Sequence, residues 1–401
     1  MARGTGLPYG RKVQQQGFSE GAVASPAGAA QVVVPFCQGS KPEIEEAFLF
    51  TNVEVKAGAQ TLGPIALPAN GYIRHVVIEV TTTAATGATG ESAADGPWTL
   101  LEQVKLTEPN GAPLGAELTG YNLFLANILG RYVGTPDPRL QPGFLNEAAT
   151  GKMQFTLRVP VELAPNGLGA LGNQSASAAL RLQLKIGPES TVYKKTPSVA
   201  AKYQIRILNE LWGEPPERDV LGRAVAQSPP YEGTAQYWSE QPAVTINKGN
   251  NSTRITRVGS EIRTLIFVFR EAGARSNKAC PEPIQLQWDQ RVFRVLTQNQ
   301  DEIWQIEMIP SLWSKKVETG VFWFPFSQGE HREAGENEIN SWLGTLTSTR
   351  LELLGNSEKA GTVDILVNDV SVTAVNPAER TLQVGVGGYH PPIGETSAVA
   401  A

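Results

Sequence analysis

The sequence predicts an all-β chain made of two similar antiparallel domains, and three observations carry that expectation. The first is a repeat. Gly71–Thr83, GYIRHVVIEVTTT, is echoed by Gly259–Glu271, GSEIRTLIFVFRE, with Ile73-Arg74 answered by Ile262-Arg263 at an offset of 262 − 73 = 189. The same offset carries Val76, Ile78 and Val80 onto Leu265, Phe267 and Phe269. Side chains alternate faces along a strand, so matched parity means that both copies bury the same face. The second observation is that further echoes keep their order. Val53–Gly58 is answered by Val244–Gly249, Trp98–Thr107 by Ile284–Asp289, and Phe155–Val161 by Val321–Phe326. Leu180–Gly187 is answered by Arg350–Gly355, and Tyr203–Glu210 by Val363–Asp369. One such pair is chance; six in a single order indicate an internal duplication. The third is composition. Charged residues are only 18% of the 401, while Gly (40) and Pro (28) are abundant, which suits short strands joined by tight turns.

Taken in order, residues 1–41 form an N-terminal arm rich in Gly, Ala, Ser and Gln, with too little apolar area to order itself alone. Within it, only Val32-Val33-Val34 is expected to pair as a short strand. The first domain spans 42–212, with strands expected at 46–56, 71–83, 98–108, 152–162, 178–187 and 202–212. Met153, Phe155, Leu157, Val159 and Val161 alternate with Gln154, Thr156 and Arg158, a half-buried strand whose Pro160 marks an edge or an end. Leu118–Arg131 has apolar residues at helical spacing and is expected to be a short helix. Residues 213–233 are a linker with Pro215-Pro216 and Pro229-Pro230 near its ends, stiff enough to space two domains. The second domain, 234–375, is the more aromatic. Its segment 321–326 is apolar on both faces, so a core should cover one face and a neighbour the other. Residues 376–401 form a C-terminal arm.

The chemistry-bearing residues point away from catalysis. A net charge of −5 argues against a dedicated nucleic-acid binder. There is no run of about eighteen apolar residues to span a bilayer. MARGTGLPYGRK lacks the apolar core of a signal peptide, so synthesis in a cytoplasm is expected. Cys37 and Cys280 fit no metal or redox spacing and are expected to be inert thiols. Gly167-Leu-Gly-Ala-Leu-Gly172 matches G-x-G-x-x-G, but Ser175–Gly187 after it alternates like a strand where a dinucleotide site needs a helix, so a plain loop is expected. His75, His331 and His390 lie far apart, and His75 is expected to be structural. Glu43, Glu45 and Glu46, and Glu330, Glu333, Glu336 and Glu338, read as solvated acids. Asn250-Asn-Ser-Thr253 satisfies a glycosylation sequon twice, with no secretion signal to give it meaning. No cofactor, metal or catalytic set is expected.

Two antiparallel β-domains of about 150 residues, each with a helix midway, match a double jelly roll: two consecutive eight-stranded antiparallel jelly rolls with short inserted helices and extended terminal arms. Gly71–Val80, a Thr/Ala/Gly loop, then Gly96-Pro-Trp-Thr-Leu-Leu-Glu-Gln-Val-Lys-Leu-Thr-Glu-Pro-Asn-Gly111 resembles the major capsid proteins of tectivirus-like phages. Gly151–Val161 and Ala179–Ile186 follow in the same order as in that family. The resemblance is one of pattern and order, clearest over about 70–187. It implies a homotrimer with six β-barrel domains, acting as a pseudo-hexagonal capsomer in an icosahedral shell over an internal lipid membrane. It also implies minor capsid and vertex proteins as partners, a place in the virion, and an N-terminal segment turned inwards. Arg3, Arg11 and Lys12 against the single acid Glu20 make that arm locally basic, and they are the candidate membrane-facing residues. The alternative is a carbohydrate-binding or carbohydrate-processing β-sandwich, in which exposed Trp238, Trp313 or Trp342 would stack on sugars.

Overall fold

A computed structural model describes residues 34, 36–84, 90–130, 137–140, 153–163, 167–225, 234–308, 317–326 and 342–372. Among them, sixteen strands have five residues or more. The first eight are β1 (Pro42–Glu54), β2 (Gln60–Ala66), β3 (Tyr72–Ala84), β4 (Leu101–Thr107), β5 (Pro113–Leu118), β6 (Gln154–Pro160), β7 (Arg181–Ile186) and β8 (Lys202–Trp212). The second eight are β9 (Thr234–Ile246), β10 (Gly249–Ile255), β11 (Glu261–Glu271), β12 (Ile284–Trp288), β13 (Arg291–Leu296), β14 (Val321–Pro325), β15 (Leu351–Ser357) and β16 (Gly361–Val372). The longest helices are α1 (Gly120–Leu129) and α2 (Gln298–Met308).

The first eight strands pair as β1-β8-β3-β6 and β2-β7-β4-β5; the second eight as β9-β16-β11-β14 and β10-β15-β12-β13. Adding eight to each label of the first pair of sheets gives the second pair. The helices fall at the same point in each half, α1 between β5 and β6 and α2 between β13 and β14. Register confirms the 189-residue offset. Ile78 faces Leu157 and Ile207, and Phe267 faces Phe322 and Ile365. Pro160 pairs with His75 and Pro325 with Thr264, so the two prolines end equivalent edge strands. A proline fits there because the missing N–H belongs to the free edge. The central strands begin alike as well. Gly71 has φ +48°, and a Cβ there would lie 2.0 Å from the Trp212 carbonyl oxygen, which excludes any other residue.

Most of the expected strands occur near their expected places. Trp98–Leu100 departs, forming a tight 3-10 turn before β4, although Trp98, Leu100, Val104 and Leu106 all reach the core as their shared parity requires. The strands β2, β5 and β13 had no clear alternation in the sequence. Val34 pairs with Val225, and Phe36 packs edge-on against Tyr72, so the end of the N-terminal segment is tied to the fold.

The second core holds Phe267, Phe269, Phe322, Phe324 and Phe326 with Leu351 and Leu353. The first holds the inward faces of β3, β4, β6, β7 and β8 together with α1, and it does not stop at the first eight strands. Trp238, Ile266, Val268, Val321, Trp323 and Leu366 belong to it too. The neighbour that covers the second face of 321–326 is therefore the first half of the same chain.

Candidate assembly surfaces

The joint between the halves begins with backbone. Strand β5 pairs in parallel with β9 at Ala116 and Trp238, joining β2-β7-β4-β5 and β9-β16-β11-β14 into one continuous sheet. Directly after β5, Thr119 caps α1, its hydroxyl accepting from the Asn122 N–H. The Thr119 N–H in turn donates to Glu240 on β9 at 3.2 Å, and burial raises the pKa of that carboxyl. Gln236 donates to the carbonyls of Val161 and Glu162, and Arg263 to that of Gly130. The second half thus satisfies backbone groups that the first leaves open.

A charged cluster closes the other side. Glu318 accepts from Arg139 at 2.5 Å, from Arg275, and from the Tyr121 hydroxyl at 3.3 Å. Asp95 accepts from Arg270 at 2.5 Å and from Arg275 at 2.6 Å, and Arg270 also reaches Asp364 at 3.0 Å. The Arg139 guanidinium lies 4.5 Å from the Trp98 ring centroid, and Trp98 stacks on Phe124. Asp95, Tyr121 and Arg139 come from the first half; Arg270, Arg275, Glu318 and Asp364 from the second. Acids and guanidinia alternate, so each charge loses water only where it gains a partner. The joint is built to be held rather than to turn over a ligand.

Each half also closes one sheet edge with its helix. On β6, Asn127 of α1 donates to the Arg158 carbonyl and accepts from its N–H. On β14, Gln305 of α2 donates to the Val321 carbonyl, and Asp301 accepts the Trp323 N–H. An unpaired edge is a template for unwanted pairing, and these side chains occupy it. Burial raises the Asp301 pKa to about 7, although the hydrogen bonds from Gln305 and Trp323 oppose the shift.

The large apolar residues left exposed are concentrated elsewhere. Ile44, Phe48 and Leu49 lie on β1, which among the described residues pairs only with β8; Val292 and Val295 lie on β13, and Ile303 on α2. Beside them, Glu43, Glu45 and Glu46 make β1 acidic.

The motif residues have ordinary fates. The Gly167 N–H, at the start of the glycine-rich run, already donates to Glu162 at 2.7 Å, and no helix follows the run. A carboxylate fills the place an anion would need. His75 is half-buried, and desolvation with Arg74 and Arg158 nearby lowers its pKa to about 3, so it is neutral. Cys37 is half-buried with its pKa raised to about 11, chiefly by burial; Cys280 is buried and raised further. Trp238 and Trp342 are buried, which removes them as sugar-stacking platforms. Arg3, Arg11, Lys12, Trp313, His331, His390 and the Glu330–Glu338 acids lie outside the described residues. Among the described residues, no cluster of His, Cys, Asp or Glu could hold a metal, and no helix is long and apolar enough to cross a membrane.

The strand order of each half, two sheets wound 1-8-3-6 and 2-7-4-5, is that of a jelly roll. The chain is a double jelly roll. Solved structures share the fold at low identity. The crystal structure of the major capsid protein of Sulfolobus turreted icosahedral virus is 13% identical, with a TM-score of 0.57 over 83% of this chain and 97% of that one. The atomic structure of the same virus gives 13% identity and 0.56 over 86% and 97%. The capsid of the virus PBCV-1 gives 12% and 0.53 over 84% and 98%. No protein-family model and no curated protein matches the sequence. Sequence reasoning missed the joint because Glu240, Thr119, Arg275 and Glu318 carry no local pattern; only the repeat hinted that two halves had to meet.

Proposed function

We propose that this chain is a viral major capsid protein with a structural, non-enzymatic role. The observation that carries the reading is two jelly rolls, β1–β8 and β9–β16, joined by a shared core, in a fold shared with capsid proteins of two viruses. In this reading three copies form a pseudo-hexagonal capsomer of six rolls, and capsomers tile an icosahedral shell in the virion after synthesis in the host cytoplasm. A lattice of that kind needs a rigid tile and many weak contacts, and the buried joint supplies the first. The sequence pattern of 70–187 supports kinship with phages whose shell encloses a membrane. Arg3, Arg11 and Lys12 then face lipid headgroups, and minor capsid and vertex proteins complete the particle. Light scattering on the purified protein tests the reading: it requires three times the 43.1 kDa of one chain. A monomer at micromolar concentration rejects it.

A further inference from the structure

The joint inside the chain leaves its own counterpart open. Register identifies the equivalent positions on the first strand of each roll. Glu46 and Ile44 pair with Leu208 and Glu210 on β8; Glu240 and Trp238 pair with Leu366 and Asn368 on β16. Leu208 in turn pairs with Val77, and Leu366 with Ile266, which the 189-residue offset relates. Glu46 therefore stands where Glu240 stands, and Ile44 where Trp238 stands. Trp238 is 2% exposed because β5 and α1 cover it; Ile44 is 66% exposed.

The covering element is repeated too. Leu118-Thr119 ends β5 and caps α1; Leu296-Thr297 ends β13 and opens α2, the Thr297 hydroxyl accepting from the Gln300 N–H. Counted from these corners (297 − 119 = 178), Leu125 of α1 corresponds to Ile303 of α2, and Asn127 to Gln305. Asn127 bonds Arg158 on one edge strand, and Gln305 with Asp301 one turn earlier bonds Val321 and Trp323 on the other; Trp323 is the register equivalent of Arg158, so both helices cap the same stretch of edge. Leu125 is buried at the joint; Ile303 is 46% exposed, with Val292 and Val295 exposed on β13 beside it in sequence.

We infer that the contact between copies repeats the contact within the chain: the β13–α2 corner of one copy sits on β1 of the next, with Ile44 in the role of Trp238 and Glu46 in the role of Glu240. This rests on the capsomer reading and names its seam. The occupant of each surface is a second copy because both halves of the joint are present on one chain, each with apolar residues exposed at its covered positions. Charge sets the placement: the exposed Arg291 that opens β13 suits Glu43, Glu45 and Glu46 of β1, whereas Glu302 beside Ile303 must point away from them. The two surfaces differ, so the contact is head-to-tail and generates a closed ring once its rotation closes. A further consequence is that Glu46 exchanges its exposed partner Arg206, now at 2.6 Å, for the Thr297 N–H of the neighbour, which must give up its present acceptor, the Gln300 side-chain oxygen at 2.9 Å.

The test uses the full chain in four forms, measured by light scattering and analytical ultracentrifugation: wild type, Ile44→Glu/Leu49→Glu, Val295→Glu/Ile303→Glu, and Val199→Glu as an exposed control. Wild type and the control should be trimers. Each double variant should be a folded monomer, needing at least tenfold more protein to associate and melting like an isolated wild-type chain. An equimolar mixture of the two doubles should give a discrete one-to-one pair, because one intact corner then meets one intact β1. Should a glutamate variant fail to fold, Ile44→Ser and Ile303→Ser carry the same comparison. Trimers persisting in both doubles overturn the seam and leave the capsomer reading standing. Two monomeric doubles that do not pair overturn the head-to-tail geometry. A double that keeps its trimer but melts lower means its own chain fills the surface, which also overturns the seam. A monomeric wild type removes the capsomer reading and the seam with it.

Discussion

The outer face of β9-β16-β11-β14 and the outer face of β1-β8-β3-β6 share their strand order and the pairing of their central strands, yet present opposite surfaces. On the first, Trp238, Leu366, Ile266, Val268, Val321 and Trp323 are buried in a core shared with the other roll. On the second, Arg206 bridges Glu46 and Glu79, and Arg158 reaches Glu210, with most of these groups in partial contact with water. Leu366 is fully buried while its counterpart Leu208 is half-buried. The difference teaches that two equivalent platforms can be finished in opposite ways, one sealed by apolar side chains and the other left polar and open to water. A permanent contact needs apolar area and fixed charge partners; a reversible one must stay soluble when empty.

The largest test of that contrast is electrostatic. Glu318→Ala takes one acceptor from each of Arg139 and Arg275, which keep Asp137 and Asp95, and should cost about 3 kcal/mol, the low end of the range for breaking a buried pair, read from urea denaturation. Arg206→Ala on the open face should leave the denaturation midpoint of the monomer unchanged. Equal losses would erase the distinction between the faces. Next comes packing. Leu366→Ala should cost about 2–5 kcal/mol and Leu208→Ala well under half as much in the isolated chain. A larger loss at Leu208 would show that the open face is already filled.

A pH experiment sharpens the comparison of the helices, because α2 carries the buried Asp301 where α1 carries Leu123 at the corresponding position. Asp301 titrates near 7 in the fold and near 4 when unfolded, so between those values the native state holds a proton that the unfolded chain has released. Its presence therefore lowers stability as pH rises from about 4 to 7, with no further loss above. Asp301→Asn removes the titration and keeps an acceptor for the Trp323 N–H. The variant should gain on wild type through that window, by a few kcal/mol at pH 8 at most and by little at pH 4, from paired thermal melts. A gap that does not change with pH would contradict the assignment. The smallest effect belongs to the edge amides. Asn127→Ala uncovers both backbone groups of Arg158 and should cost about 1–3 kcal/mol by the same melts, with Gln305→Ala, which uncovers the Val321 carbonyl and one oxygen of Asp301, nearer the lower end at about pH 5, where Asp301 is protonated. The opposite ranking would mean that water replaces Asn127 at little cost.

Much of the fold was legible because period-two alternation is a local signal, strong in Phe155–Val161 and in the two long central strands. Where it failed, the chain is short or interrupted. Gly63-Pro64 breaks β2 and Gly115 breaks β5. In β13, Arg291-Val-Phe-Arg-Val-Leu296 has two apolar residues at a time and no clear parity. The surfaces were harder to read. The segment 321–326 announced two covered faces without saying what covered them, and buried Trp238 looked like any other tryptophan in a polar context. Burial of that kind is decided by residues far along the chain, so composition and spacing near Trp238 carry no trace of it.

The shared core also sets an order of events during synthesis. Helix α1 leaves the ribosome long before β14, the strand that packs against it; from Leu129 to Val321 is 321 − 129 = 192 residues. At 5–20 residues per second that interval lasts about 10–40 s. Throughout it, the side of the first roll that will meet Val321 and Trp323 faces water with its partner unmade. The nascent chain therefore carries an uncovered apolar side on its first roll until β14 is made, and that interval is when it is most prone to aggregate.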